Sequence, residues 1–265
     1  GDAWSLSDWQ RTHGRIDREA AIEYMRLLIT HSPELAAAAF PQIRSRAASR
    51  LRARQHPSPT AFRPHMAAEE VRVRQTRQPY TRYFAVREDE LEFPTFGGGH
   101  SAKVTRSTFM GGDAVTVLPY DPMLDHVLVV RQFRHGAFAR GDPNPWTLEP
   151  AAGRIDPNES PSDTALRELL EETGVLATDL HRVAQYYPTP GAVSEFLISY
   201  VAIADLSGRD GVTAGLDTEH EDIMSHVIAF DTLIEMIDSG AANTGPLVLS
   251  ALWLSRHRDS LRHSD

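Results

Sequence analysis

The sequence predicts a mixed α/β fold from about residue 70 onward, preceded by a helical segment. Residues 1–65 carry apolar side chains at helical spacing, whereas short β-like runs separated by turn residues begin at residue 80. Two further helical patterns follow the last of these runs. Strands and helices that alternate along the chain in this way indicate an α/β or α+β domain.

The helical segment contains two main patterns. "REAAIEYMRLLI" (18–29) places its apolar residues near helical spacing, and "PELAAAAFPQIRSRAASRLRAR" (33–54) continues with strong helix formers, with a break expected at Pro41. The three prolines of "HPSPTAFRPH" (56–65) predict a linker. We therefore assign residues 1–65 to an N-terminal extension and 66–265 to the main domain. Because the chain starts at Gly1 without Met, we expect either a trimmed chain or a piece of a longer polypeptide, with the extension as a possible tail of another domain.

Five arginines in the second helical pattern allow two interpretations. They would either form a patch for phosphate or nucleic acid, or lie on a solvated helix face. The absence of interleaved aromatic residues favours the solvated face, because single-stranded nucleic-acid sites stack bases on such rings. The residues are Arg44, Arg46, Arg50, Arg52 and Arg54.

The β-like runs begin with a predicted antiparallel hairpin. "YTRYFAVREDELEFPTF" (80–96) and "SAKVTRSTFM" (101–110) have strand character and flank "GGGH". "AVTVLPY" (114–120) and "VLVVRQF" (127–133) predict two stronger strands joined by the turn "DPMLD". Later strands are expected at "RVAQYY", "FLISYVAIA" and "SHVIAF".

Two helices are predicted to close the chain. "DTLIEMIDSG" has Asp231 as its expected N-cap and Gly240 as its C-terminal stop. "PLVLSALWLSRHR" (246–258) is the second helix.

Composition excludes several classes of protein. The hydrophobic content of 41% supports a substantial core, and no run of 18 apolar residues predicts a membrane span. The absence of Cys excludes disulfides and thiolate metal sites and is typical of a cytoplasmic protein. The net charge of −9 argues against general affinity for nucleic acid or anionic membranes.

One segment, "GRIDPNESPSDTALRELLEETGV" (153–175), predicts a capped, strongly acidic helix. Ser160 is the expected N-cap, with Pro161 in the first turn and Asp163 at the third position, and Gly174 is a natural stop. The apolar stripe expected to pack on the core comprises Ala165, Leu166, Leu169 and Leu170.

The acidic residues of this helix raise an electrostatic problem. Glu168 and Glu172 lie four residues apart on one face, Glu171 flanks them, and like charges at this spacing repel. Arg167 precedes Glu171 by four residues and is expected to pair with it, which would leave Glu168 and Glu172 without a local cation. The preceding strand, "LEPAAGRID", is expected to turn sharply at Gly153 and present carbonyls nearby. Ligands that are all oxygen suit Mg²⁺ or Mn²⁺.

The spacing of this segment resembles the Nudix box at every defined position. Gly153 is followed by Glu159 and then by "RELLEETGV" (167–175) at the expected intervals. The resemblance covers about residues 76–262 and looks like the ADP-ribose pyrophosphatase branch. Outside the box it rests on "TPGAVSE" (189–195), "VLPYDPMLDHVLVVRQFR" (117–134), "LDTEHEDI" (216–223) and "SGAANTGPLVLSALWL". The extension is faintly similar to the end of a γ-glutamylcyclotransferase-like domain that precedes some Nudix proteins, including those linked to tellurite resistance.

The resemblance implies a fold, an activity and a set of metal ligands. The fold would be a Nudix α/β/α sandwich with a mixed sheet, in a homodimer that often exchanges N-terminal strands, here through residues 76–110. The activity would be Mg²⁺-dependent hydrolysis of ADP-ribose to AMP and ribose 5-phosphate. The metal ligands would be Glu168, Glu171, Glu172, Glu221 and the carbonyl of Ala152. Glu219 is the candidate general base. Together with the metal ligand Glu172, it is a predicted catalytic residue.

Candidate substrate contacts lie elsewhere in the chain. Arg106 and Arg134 would bind the diphosphate or terminal ribose, or would form structural ion pairs instead. Glu195 would accept hydrogen bonds from ribose hydroxyls. Tyr83 or Phe84 would stack on adenine, although aromatic residues in strands more often belong to the core. Arg167 and Glu159 are expected to form a structural pair.

Two other functions remain open from the sequence. One is hydrolysis of a different nucleoside diphosphate sugar, such as GDP-mannose or ADP-glucose. The other is a Nudix-like sensor that binds ADP-ribose or a dinucleotide without turnover. The complete set of glutamates favours an enzyme, because a binding module would not need them.

Overall fold

The computed structural model describes residues 4–55, 66–215 and 222–262. The chain divides into two compact units, each built around its own elements. The first comprises Gly1–Asp113, Asp156–Asn158 and Tyr187–Glu195, and the second comprises Ala114–Ile155, Glu159–Tyr186 and Phe196–Asp265. The predicted mixed α/β fold with N-terminal helices and an antiparallel strand segment is confirmed. Within the described ranges, no helix has the length and hydropathy needed to cross a membrane.

Four helices open the first unit: α1 (Leu6–Thr12), α2 (Gly14–Thr30), α3 (Pro33–Ala38) and α4 (Phe40–Gln55). Their shared core includes Leu27 and Ile43, both fully buried. The predicted break in this helical pattern is present, but it lies at Ala39 and not at Pro41, which is in the first turn of α4. A proline is accommodated there because the first N–H groups of a helix have no intrahelical acceptor.

The arginines of α4 are ion-paired and do not form the solvated face that was favoured. Arg46 donates to Glu23 of α2 through Nε and Nη2, and both side chains are buried. Arg50 and Arg54 pair with Glu19, also on α2. The two remaining pairs are Arg44–Asp17 and Arg52–Asp113. The basic residues are therefore matched to acidic residues of the elements that pack beside α4.

A short 3-10 helix (Ala68–Glu70) leads into a three-stranded antiparallel sheet of β1 (Arg72–Thr81), β2 (Ala85–Glu92) and β3 (Val104–Met110). The predicted hairpin corresponds to β2 and β3. Strand β1 was missed because "RVRQTRQPYT" is largely polar and exposed, so it lacks the apolar alternation of a half-buried strand. The predicted linker, 56–65, lies outside the described residues, and the domain boundary placed at 65/66 stays a prediction.

The second unit contains an eight-stranded mixed sheet. Its main path runs β10-β11-β5-β4-β9-β8, while β6 pairs with β5 and β7 pairs with β4. The β4–β9 pair is parallel, and the other pairs are antiparallel. The strands are β4 (Ala114–Asp121), β5 (His126–Phe133), β6 (Trp146–Glu149), β7 (Ala151–Arg154), β8 (Asp179–Tyr186), β9 (Leu197–Ile203), β10 (Thr213–Ala214) and β11 (Ile223–Ala229).

Helices cover both faces of this sheet. They are α5 (His135–Arg140), α6 (Pro161–Thr173), α7 (Phe230–Asp238) and α8 (Gly245–Arg262). On one face, Leu169 of α6 shares a buried cluster with Val115 and Val117 of β4. On the other face, Leu233 and Leu254 of α7 and α8 share a cluster with Tyr120. Side chains of β4 thus pack into two cores, one on each face of the sheet, and the fold is an α/β/α sandwich.

The start of α7 differs from the prediction. Ala229 occupies the N-cap position without a side-chain hydrogen bond, and Asp231 lies in the first turn. There Asp231 accepts from Nη1 of Arg258 at 2.7 Å. The end agrees with the prediction, since Gly240 has a φ of +80° just beyond the C-cap Ser239.

Candidate active site

Strand β7 provides the backbone of the candidate site. Ala152 and Gly153 pair with Thr116 and Val115 of β4, so Gly153 lies within the strand and the predicted sharp turn at this residue is wrong. A Cβ on Gly153 would lie 1.9 Å from both Cδ and Oε1 of Glu168. The missing side chain therefore creates a cradle for the Glu168 carboxylate against the strand.

Helix α6 brings the carboxylates to β7. As predicted, Ser160 is the N-cap and accepts from the Asp163 amide at 3.1 Å, and Gly174 ends the helix with a φ of +66°. The predicted apolar stripe is only half correct. Ala165 and Leu169 are buried, whereas Leu166 and Leu170 are 43% and 47% exposed. The buried face is completed by Thr164, Glu172 and Thr173, so it is partly polar.

Glu172 is the buried carboxylate of this face, with only 2% of its surface exposed. Its Oε2 accepts a hydrogen bond from the backbone N–H of Ala152 at 3.0 Å. Burial of a charged group is costly unless hydrogen bonds compensate it. This bond therefore fixes the carboxylate beside the residue whose carbonyl was predicted to bind metal.

Arg167 links three carboxylates of the motif. Its Nε and Nη2 donate to the two oxygens of Glu159 at 3.0 Å each, and the predicted Arg167–Glu159 pair is confirmed. Its Nη1 donates to Glu171 at 3.0 Å, as expected, and also to Glu168 at 2.7 Å. The expectation that Glu168 lacks a local cation is therefore wrong. The hydrogen bonds that Arg167 donates to Glu159, followed by the charge of Glu168, raise the pKa of Arg167, so this guanidinium remains a permanent cation.

The donor atoms near β7 and α6 fit a hard divalent cation. They are the carboxylates of Glu168, Glu171 and Glu172 and the backbone oxygen of Ala152, and such oxygens are the ligands that Mg²⁺ and Mn²⁺ prefer. The Gly153 cradle and the Ala152–Glu172 bond orient two of these carboxylates. Among the described residues, no three His, Asp or Glu side chains form a ready-made ligand group, and Arg167 pairs with Glu159, Glu168 and Glu171. Glu219 and Glu221 lie outside the described residues.

Arg134 forms a structural ion pair, which was the second of the two roles considered for it. Its Nε and Nη2 donate to the two oxygens of Glu149 at 2.8 Å each, a bidentate arrangement. Thr147 also donates to Glu149, at 2.5 Å. Arg134 is the N-cap residue of α5 and remains partly exposed. Sequence analysis did not single out Glu149, although it lies within the "LEPAAG" run.

Tyr83, Phe84 and Arg106, which are candidate contacts for adenine and diphosphate, lie in the first unit. Tyr83 is 58% exposed and meets the Phe84 ring edge-on at 4.8 Å. Phe84 in turn packs against Phe109 of β3 at 4.6 Å. Arg106 is exposed on β3, opposite Asp89 of β2. The exposure of Tyr83 disagrees with a core role for this ring, and Phe109 is an aromatic neighbour that the sequence analysis did not identify.

The "TPGAVSE" loop joins the edge of β3. The Phe109 amide donates to the Ala192 carbonyl at 2.8 Å, and the Ser194 amide donates to the Phe109 carbonyl at 3.0 Å. Glu195 follows directly and is half-buried beside Gly111, where a Cβ would lie 3.4 Å from the Glu195 Cβ. The first unit thus brings Glu195 and the loop to the strand that carries Arg106. The glycine pair in "FMGGD" was the signal for this close approach.

Comparison with known proteins agrees with this architecture. Residues 110–248 match the family described as NUDIX domain. The chain is 30% identical to the ADP-ribose pyrophosphatase of Haemophilus influenzae over 202 residues, which cover 76% of this chain and 93% of that protein. It is 31% identical to the ADP-ribose pyrophosphatase of Escherichia coli (strain K12) over 184 residues, covering 69% and 87% of the two chains.

Two further relatives extend the comparison. The GDP-mannose pyrophosphatase of Enterobacter sp. (strain 638) is 29% identical over 172 residues, covering 65% of this chain and 88% of that protein. A crystal structure of an ADP compounds hydrolase superposes with a TM-score of 0.52 and 21% identity, covering 72% of this chain and 97% of that one, and this likeness concerns the fold alone. Because the family match spans more than half of the 265 residues and includes the β7–α6 motif, the chain belongs to the Nudix family and is a Nudix hydrolase.

Proposed function

We propose that this protein hydrolyses the pyrophosphate bond of ADP-ribose to AMP and ribose 5-phosphate in a reaction that requires Mg²⁺, with Mn²⁺ as a possible substitute. The observation that carries the proposal is the placement of the Glu168 and Glu172 carboxylates against the backbone of β7 at Ala152 and Gly153. The names of the two ADP-ribose pyrophosphatases among the relatives support the choice of substrate.

The ligands for the divalent cations would be Glu168, Glu171, Glu172, Glu221 and the Ala152 carbonyl. When bound, the cations neutralise charge on the diphosphate and acidify coordinated water. The protein's part is to hold the ligands in place before substrate arrives. The Ala152 amide fixes Glu172, and the Arg167 guanidinium aligns Glu168 and Glu171. Preorganised ligands lose little conformational entropy when the cation binds.

Glu219 is the proposed general base. A carboxylate in this role accepts the proton of the attacking water, and a base on a loop is able to approach after the substrate binds. Glu221, two residues further along, is assigned to the metal. Both assignments rest on the resemblance of "LDTEHEDI" to the corresponding family loop.

The candidate substrate contacts are Tyr83, Phe84, Arg106, Arg134 and Glu195. The exposed Tyr83 ring, supported edge-on by Phe84, offers a stacking surface for adenine. Arg106 offers an exposed guanidinium for the diphosphate, and Glu195 offers a carboxylate for ribose hydroxyls. Arg134 is a second diphosphate candidate whose guanidinium is already oriented by Glu149, so binding there would compete with the ion pair.

A second candidate substrate is GDP-mannose, because a GDP-mannose pyrophosphatase is among the relatives. ADP-glucose remains a third possibility of the same chemistry. A non-catalytic sensor is disfavoured by the anchored carboxylates, since a binding module has no use for Glu168 and Glu172 in these positions. We further propose that the protein acts as a cytoplasmic homodimer on small nucleotide sugars, without nucleic-acid or membrane partners.

The test is product analysis with Mg²⁺ against ADP-ribose, GDP-mannose and ADP-glucose, with a nucleoside triphosphate and a diadenosine polyphosphate for comparison. We expect ADP-ribose to give the highest kcat/KM, with AMP and ribose 5-phosphate as products and no turnover after EDTA treatment. Glu172→Gln is the matched inactive control, checked for fold by circular dichroism. Faster turnover of the triphosphate or diadenosine polyphosphate would refute the substrate class, and ADP-ribose binding without turnover would favour the sensor.

A further inference from the structure

A cleft in the first unit collects arginines that the proposed reaction does not use. It has a volume of about 210 Å³ and lies where α2 and α4 face β1 and β2. Its charged lining consists of Glu19, Glu23, Arg26, Arg50, Arg54 and Arg87. Four arginines against two glutamates give this lining a charge of +2, in a chain whose net charge is −9.

The two glutamates are already committed to arginines. Glu19 accepts three hydrogen bonds, one from Arg50 and two from Arg54, at 2.8 to 3.0 Å. The bond from Arg54 is the largest cause that lowers the pKa of Glu19, so this carboxylate stays ionised at neutral pH. The buried Glu23 accepts from Arg46, Arg50 and Gln78. These carboxylates therefore act as a fixed frame that orients guanidinium groups towards the cleft.

Two arginines of the lining, Arg26 and Arg87, do not donate hydrogen bonds to Glu19 or Glu23. Within the described part of the chain, no acidic side chain pairs with the exposed Arg26. Arg87 has its Nε 2.7 Å from Asp89, but that buried nitrogen makes no hydrogen bond to any described residue. The excess of cations in the lining makes an anion the natural ligand of the cleft.

We propose that this cleft binds the phosphate group of a small phosphorylated compound. A phosphate dianion matches the charge of +2, and its oxygens match the forked donors of guanidinium groups. Ile22 and Met110 add apolar surface beside the arginines, which suits the carbon skeleton of a phosphate monoester. The volume of about 210 Å³ lies below the range of about 300–1,000 Å³ that is usual for drug-sized ligands, so a dinucleotide does not fit.

The experiment is equilibrium dialysis of the full chain against radiolabelled inorganic phosphate. EDTA is included so that no divalent cation recruits phosphate to β7 and α6. We expect saturable binding of one phosphate per chain. The affinity should fall at least about tenfold in the double variant Arg26→Gln/Arg87→Gln, because two guanidinium groups that donate to the phosphate oxygens would be lost. Arg140→Gln is the control, since Arg140 is 81% exposed and lies in the other unit. It should bind phosphate as the wild type does.

Each outcome decides the proposal. Absence of saturable binding, or equal affinity in the double variant and the wild type, would refute it. An equal loss in Arg140→Gln would also refute it, because binding would then reflect general surface charge. If circular dichroism shows that the double variant is misfolded, Arg26→Gln alone decides. Removing this exposed side chain does not disturb the ion-pair frame, so unchanged affinity in the single variant would contradict the site.

Discussion

At Gly153, the absence of a single methyl group determines the geometry of the candidate site. The Glu168 carboxylate occupies the space in which a Cβ would lie. Arg167 then binds the same carboxylate together with Glu159 and Glu171, so attraction to one cation offsets the repulsion among three anions. The lack of a side chain at Gly153 and the positive charge of Arg167 thus allow an acidic helix to pack on β7.

Gly153→Ala should disrupt the site while the fold survives. The new Cβ would meet the far end of a flexible side chain, so Glu168 would move and the backbone would not. We expect kcat to fall by about 10²-fold, the usual cost of misplacing a group near the reaction by about 1 Å. Steady-state kinetics with increasing Mg²⁺ measures this effect. Gly136→Ala is the control, because a Cβ there meets nothing within 4 Å and should leave the rate unchanged.

The two loop glutamates are predicted to have separable roles. Glu219→Gln should lower kcat by about 10²–10⁴-fold with little change in KM, since a general base acts on the transition state. Glu221→Gln should raise the Mg²⁺ concentration needed for half-maximal activity. Glu172→Gln should lose both rate and metal affinity. Recovery of the wild-type rate by Glu219→Gln at high Mg²⁺ would identify Glu219 as a metal ligand and overturn its assignment as the base.

At the scale of elements, ion pairs connect the N-terminal helices. Helix α4 directs its arginines at the acidic residues of α2, and the Arg46–Glu23 pair is buried between them. A buried pair contributes little net stability compared with apolar residues of the same volume, but the loss of one partner leaves a desolvated charge. The register of α2 on α4 therefore depends on keeping both partners.

Glu23→Ala should destabilise the protein by about 3–5 kcal/mol, because Arg46 would stay buried without its counter-charge. Chemical denaturation followed by circular dichroism measures the loss. Asp8→Ala is the matched control, since the Asp8–Arg11 pair is exposed and such pairs are worth about 0–1 kcal/mol. The double variant Glu23→Leu/Arg46→Met should recover most of the stability. If Glu23→Ala and Asp8→Ala lowered the free energy of unfolding by similar amounts, the buried pair would be no more important for stability than the exposed one.

The β4–β5 turn and α8 form a second electrostatic junction. Asp125 has a φ of +57° and receives hydrogen bonds from Tyr120, Arg258 and Arg262. The bond from Arg258 is the largest cause that lowers the pKa of Asp125. Burial, followed by the bond to Asp125, raises the pKa of the Tyr120 phenol. The folded state therefore favours the neutral phenol and the ionised carboxylate.

This junction predicts a difference in alkaline stability. A tyrosine whose folded pKa is raised contributes full stability below its unfolded pKa of about 10 and loses it as the pH rises further. The free energy of unfolding of the wild type should fall more steeply above pH ~10 than that of Tyr120→Phe. Near pH 7 the variant should be less stable by about 1 kcal/mol, the worth of one hydrogen bond. The check is urea denaturation from pH 7 to 11, with the exposed Tyr80→Phe as control; parallel curves for wild type and Tyr120→Phe would contradict the assignment.

At the scale of the whole molecule, the exposed strand β1 points to self-association. It is an outer strand of the three-stranded sheet and exposes Val73 and Tyr80, and Phe96 is exposed in the connection between β2 and β3. The unpaired backbone N–H and C=O groups of an edge strand favour pairing with another chain, although most side chains of β1 are polar. We therefore expect residues 76–110 to mediate the proposed homodimer.

Light scattering at micromolar concentration should give twice the chain mass of 29.5 kDa. Tyr80→Glu should shift the mass towards a single chain, because a charge would be buried at the contact. Met123→Glu, which places the same charge on an exposed turn outside this segment, should leave the dimer intact. A wild-type mass of 29.5 kDa would contradict the dimer.

Features that depend only on residues close together in the chain were predictable from the sequence alone. The caps of α6 at Ser160 and Gly174, the strands β4 and β5, and the box from Gly153 to Val175 are short-range patterns, and they suffice to predict the family and the α/β/α fold. Features that depend on distant residues were decided only by the tertiary structure. Strand β1 is polar and forms because β2 pairs with it. The arginines of α4 other than Arg52 are neutralised by residues about 30 positions earlier on α2, and Arg52 pairs with Asp113. The sequence predicted a turn at Gly153. The residue instead leaves space for the Glu168 carboxylate, and that contact forms only when α6 packs on β7. Hydrophobic periodicity and caps act within a few residues, whereas ion pairing and close approach are set by elements that meet only in the folded chain.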